Sequence, residues 1–152
     1  MGAKTLKPGT ASLYDEDFAV WTSEPARLLR EKRFDEIDIE HVAEEIEDMG
    51  KRDKRELYSR LTVLTIHLLK WKWQPEKRPE SWRSTIATQR TEIPLVLEDS
   101  PSLRRATSTA LTEIYGRAVK AAIAQTALPA KTFPRECPFS PQQLLDFSFL
   151  PD

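Results

Sequence analysis

Between Lys51 and Trp73 the apolar residues Leu57, Leu61, Leu64, Leu68 and Trp71 recur at steps of three and four, a spacing that an α-helix gathers onto one face. Val63, Ile66 and Leu69 fall off that seam, so the segment ends apolar nearly all round, the mark of a helix at the centre of a bundle. Nowhere does a run of useful length alternate with the period of a half-buried strand, and there is no internal repeat or low-complexity tract.

The remaining segments also read as helices. One runs from Asp15 to about Phe34, where Pro25 is expected to kink it. Asp38 is placed to cap a second, whose inward stripe is Ile39, Val42, Ala43, Ile46 and Met49 and whose stop is Gly50. After the basic loop between Pro75 and Pro79, a fourth helix to about Glu98 turns Trp82, Ile86, Ile93 and Leu97 inward, with Pro94 a distortion. Ser100-Pro101 opens a fifth that stops before Pro129. From there the chain is rich in proline, with Ser140-Pro141 able to start one short helical turn before Phe147, Phe149 and Leu150. With only four glycines in 152 residues, loops are short. The expected fold is all-α: a flexible N-terminal segment, 1–12, and a single domain, 13–152, built as a helical bundle of about five helices with a proline-rich C-terminal strap.

Net charge is only −1, but it is unevenly distributed. Residues 13–50 carry 13 acids and 4 bases, whereas residues 51–90 carry 11 bases and 4 acids. Facing helices of opposite charge account for this simply; a basic patch for phosphate or an acidic partner is the sharper reading. The apolar run Leu61 to Leu69, broken by Thr62, Thr65 and His67, is far shorter than the ~20 residues of a membrane span. The start has neither the apolar core of a secretory signal nor the context of a lipid anchor, and the single cysteine, Cys137, has no internal partner. A cytoplasmic protein with no membrane association is expected.

Two segments are candidates for chemistry. Asp35 to Asp48 holds eight carboxylates and one histidine, and on a helix Asp38, His41 and Glu45 share a face that could offer oxygens and an imidazole to a cation. Against the apolar stripe, however, His41 points away from the core and Glu45 sits at its border, as a solvated acidic face would. His67 to Trp82 holds three of the four tryptophans among lysines and arginines. Rings that stack on bases beside cations that meet phosphate are how single-strand binders work, with Trp73 the exposed candidate and Arg52, Arg55, Lys72, Lys77 and Arg78 the cations. Trp and Arg are equally common anchors of protein interfaces. His67 itself is expected to be a buried, hydrogen-bonded histidine. No serine sits in a nucleophile elbow, and four scattered glycines build neither a P-loop nor a dinucleotide fingerprint.

Leu13-Tyr14-Asp15-Glu16-Asp17-Phe18, Ala43-Glu44-Glu45-Ile46-Glu47, His67-Leu68-Leu69-Lys70-Trp71, Ser81-Trp82-Arg83 and Cys137-Pro138-Phe139 together resemble the bacterial domain-of-unknown-function-29 family, over about Leu13 to Pro151. That resemblance implies a small all-helical bacterial protein, with Glu44, Glu45, His67, Trp71, Trp82 and Arg83 as the positions to probe and His41 outside the pattern. It supplies no reaction. The expectation is a non-catalytic interaction or adaptor protein with no catalytic residues, resident metal or cofactor, whose partner is another protein or a second copy. The alternatives are nucleic-acid binding through residues 51–90, and a metal-dependent hydrolase using the acidic helix.

Overall fold

The computed structural model describes residues 10–152, with side chains from Leu13 onward. Every regular element among them is helical: α1 (Thr10–Glu16), α2 (Phe18–Arg30), α3 (Ile39–Trp73), α4 (Glu80–Asp99), α5 (Leu103–Thr109), α6 (Leu111–Thr126) and α7 (Pro141–Leu145). The fold is all-α, as the periodicity required. Two compact units divide the chain at Gly50, and the boundary falls inside α3.

The continuity of α3 corrects the sequence reading, because Gly50 does not stop a helix. It lies in the interior of the 35-residue α3, with no positive φ. Helix formers follow it, and the carboxylates at 47 and 48 precede the cations at 51 and 52 by one turn, the spacing that supports a helix across a weak position. Asp38 does sit at the start, where its Oδ1 accepts the amide of His41 at 3.4 Å.

In the first unit, α2 passes through Pro25 and ends in a Schellman motif. Lys32 takes the left-handed conformation at φ 57°, the Lys32 amide bonds the Leu29 carbonyl, and the Arg33 amide bonds the Leu28 carbonyl at 2.9 Å. Trp21, Pro25 and Leu28 are its buried residues.

The second unit holds the large core. Leu57, Leu61, Leu64, Leu68 and Leu69 of α3 are fully buried beside Ile93 of α4 and Ile114, Ala118 and Ala122 of α6. Each such leucine contributes roughly 1.5–3 kcal/mol of transfer free energy. Arg60 of α3 reaches Glu56 at 2.9 Å, and Gln89 and Glu92 of α4 at 3.3 and 3.6 Å; Ser100 donates to Asp53 at 2.5 Å. The single helix expected after Ser100 is two, broken at Ala110. The run Thr107-Ser108-Thr109 has low helix propensity, and the Thr109 hydroxyl turns back to the Arg105 carbonyl at 3.2 Å. Ala127, at φ 58°, ends α6 two residues before Pro129.

The C-terminal residues are fixed by a buried cation. Arg90 of α4, 3% exposed, donates Nε to the Leu144 carbonyl at 2.9 Å, Nη1 to Phe149 at 2.6 Å and Nη2 to Gln143 at 3.0 Å. Ser140 caps α7 with a reciprocal capping box through Gln143.

Candidate functional site

In the first unit the two faces of α3 are used opposite to expectation. The Tyr14 hydroxyl donates to Glu45 Oε1 at 2.6 Å, and its ring stacks on His41 with centroids 4.1 Å apart. Trp21 meets both edge-on, at 4.8 Å from Tyr14 and 6.1 Å from His41. His41 Nδ1 is hydrogen-bonded to Asp38 Oδ2. So the polar residues His41 and Glu45 are half-buried against α1 and α2, while of the five residues expected inward Ile39, Ile46 and Met49 are 62%, 64% and 61% exposed, Ala43 is exposed and Val42 is half-buried. The reason is chemical: a tyrosine, a histidine and two carboxylates satisfy one another's hydrogen bonds, so this face buries without leaving orphan groups. The partnership leaves its mark on the titrations. Donation to Glu45, with the carboxylates of Glu44 and Asp48 nearby, pushes the Tyr14 phenol up to about 12, and the bond to Asp38 raises the His41 pKa. Glu44 is exposed. Among the described residues no three of His, Cys, Asp and Glu are grouped to hold a metal ion.

The tryptophan-rich segment lies in the second unit, and its cations turn onto its own rings. Trp71 is buried; the Arg78 guanidinium lies 5.0 Å and that of Arg83 5.4 Å from its ring centroid, and Arg78 Nε donates to the Trp71 carbonyl at 2.9 Å. Those contacts hold Arg78 at φ 30°, a region few side chains occupy, at a cost of order 1–3 kcal/mol. Lys70 Nζ stands 4.6 Å from the Trp82 centroid and 3.2 Å from Gln125 Oε1. Lys72 stands 5.6 Å from the Trp73 centroid and 3.5 Å from the Asp152 carbonyl. Trp73 is not the exposed ring the sequence suggested, because it is half-buried and packs edge-on against Phe133 at 5.5 Å. His67 is half-buried, its Nδ1 bonded to the Val63 carbonyl at 2.8 Å, and burial lowers its pKa. Arg52, Arg55 and Lys77 are exposed. Burial raises the pKa of the Cys137 thiol, opposite to what a nucleophile needs.

Thus Arg78 and Arg83 gather on Trp71, Trp82 pairs separately with Lys70, and Glu45 joins Tyr14 and His41 in another cluster. The family model described as Domain of unknown function DUF29 matches residues 13–150. The chain belongs to DUF29. No curated protein and no solved structure matches this DUF29 chain. Every segment that carried the resemblance lies inside the matched range. Within it, sequence reasoning missed Tyr14 and Arg90 as organising residues; Tyr14 stood in a quoted motif, but no spacing rule couples position 14 to position 45. No helix among the described residues is long and apolar enough to cross a membrane.

Proposed function

We propose that this DUF29 chain is a non-catalytic interaction or adaptor protein whose partner seats on the outward apolar stripe of α3. The observation that carries this is the exposure of Ile39, Ile46 and Met49 on one helical face. Phe18, Val20, Leu29 and Phe34 are exposed in the same unit, so among the described residues seven of the nine exposed large hydrophobic residues fall before Lys51. Apolar surface so concentrated is the usual mark of a binding face. Spacing of i, i+7 and i+10 suits a second helix, read through anchors on successive turns. Exposed Glu40 and Glu44 flank the stripe in a segment rich in acids, so the fitting occupant is an amphipathic helix with basic flanks. We place the work in the cytoplasm of a bacterium.

Nucleic-acid binding through residues 51–90 is a second reading, supported by the exposed cations Arg52, Arg55 and Lys77. The tryptophans lend it less, since their ring faces carry the chain's own cations.

A synthetic leucine–lysine amphipathic helix, titrated into the full chain with calorimetric detection, tests the first reading. Saturable binding near micromolar, lost in Ile46→Glu and kept in Leu95→Glu on α4, is expected. Binding insensitive to Ile46, or none, overturns it. Mass measured across protein concentration separates a second copy from a different partner.

A further inference from the structure

Between α3 and α6 of the second unit lies an open groove of about 570 Å³. Lys54 and Arg55 of α3 and Arg117 of α6 bring three cations to it, against one carboxylate, Glu113. Glu113 Oε1 accepts Arg117 Nη2 at 2.6 Å and so occupies one edge of that guanidinium. Lys54 and Arg55 are in no ion pair among the described residues; the Lys54 ammonium lies 5.5 Å from the Tyr58 ring centroid. The hydroxyls divide in the same way. Thr62 is committed to the Tyr58 carbonyl at 2.7 Å, whereas the Tyr58 phenol and the Ser59 hydroxyl make no hydrogen bond among the described residues. Two cations outside any ion pair among the described residues, one of them over the Tyr58 ring, a third half committed, two uncommitted hydroxyls and that ring therefore line one opening.

We propose that this groove binds a phosphomonoester carried on a small planar organic body. A phosphoryl dianion has only acceptor oxygens, so it can take donors from Arg55, Arg117, Lys54 and Ser59 together; a guanidinium fork suits it two oxygens at a time. The Tyr58 ring supplies apolar area for the organic part. This site rests on α3–α6 geometry alone and is independent of the stripe on the first half of α3.

The test is an NMR titration of the isotope-labelled full chain with phenyl phosphate, inorganic phosphate, benzoate and a short single-stranded oligonucleotide. Phenyl phosphate is expected to give saturable shifts at Tyr58, Ser59 and Arg117, and to bind more tightly than inorganic phosphate. Lys54→Gln combined with Arg55→Gln should weaken it at least about tenfold, and Arg83→Gln, on α4, should leave it unchanged. Both altered positions are exposed, and an unchanged amide spectrum elsewhere verifies the fold. Benzoate binding as well as phenyl phosphate, or no saturable shift in the groove, overturns the proposal. Binding of the oligonucleotide alone, with steep loss on added salt, also overturns it in favour of a polyanion surface.

Discussion

Removing the Arg90 side chain should destabilise the second unit by about 3–4 kcal/mol. The guanidinium is 3% exposed and holds three backbone carbonyls, those of Gln143, Leu144 and Phe149, at 2.6–3.0 Å. Among the described residues no carboxylate meets its charge at bonding distance; burial pulls its pKa below the ordinary arginine value, with Asp146 opposing. In Arg90→Ala the charge leaves, so no buried ion remains, but three carbonyls lose their donor. At about 1 kcal/mol for each, plus lost packing of the side-chain stem, the sum reaches that figure. Arg90→Lys keeps a cation but cannot span three carbonyls with one ammonium, so it should recover about a third of the loss. Urea unfolding followed by tryptophan fluorescence reads both variants. Hydrogen exchange should show the Pro141–Leu145 helix opening first in Arg90→Ala. An Ala variant within about 1 kcal/mol of the parent, or a Lys variant equal to it, would refute the claim that the fork fixes the C-terminal residues.

Gly50→Ala should stabilise α3 by roughly 0.5–1 kcal/mol, since a β-carbon there meets nothing within 4 Å and glycine is costly inside a helix. Lys32→Gly should stabilise by about 1 kcal/mol for the opposite reason, the left-handed φ at the end of α2; thermal unfolding checks both. The two histidines should titrate on opposite sides of their ordinary value of 6.5, as NMR of the ring protons would show. The bond to Asp38 raises His41, so its contribution is complete below 6.5 and fades as pH rises through the raised folded value. Burial lowers His67, so its contribution is intact above 6.5 and stability falls as pH drops through the lowered folded value. The reverse order would contradict both environments.

The core of the second unit was legible because Leu57, Leu61, Leu64 and Leu68 repeat with helical period, and period is what a buried helix leaves in a sequence. Gly50 was misread because propensity is a weak signal, and strong helix formers on both sides carry the helix through it. The stripe of α3 was legible as a stripe, but Ile39, Ile46 and Met49 lie on the outer side and only Val42 of it is half-buried. An apolar-in rule has no means of knowing that Tyr14, thirty-one positions before Glu45, makes the polar face cheap to bury. In the tryptophan segment, the residue types were plain but their direction was not. Whether Arg78 and Arg83 reach outward or fold onto Trp71 depends on the left-handed turn at Arg78, which a non-glycine residue does not announce.

The inversion of α3 is the central claim, and the unfolding free energy of Ile46→Glu tests it most directly. Ile46 is 64% exposed, so on monomeric protein the substitution should shift stability by no more than about 0.5 kcal/mol. A loss of 2 kcal/mol or more, in the range for core residues, would place Ile46 inside the unit and remove the outward face on which the proposed partner sits.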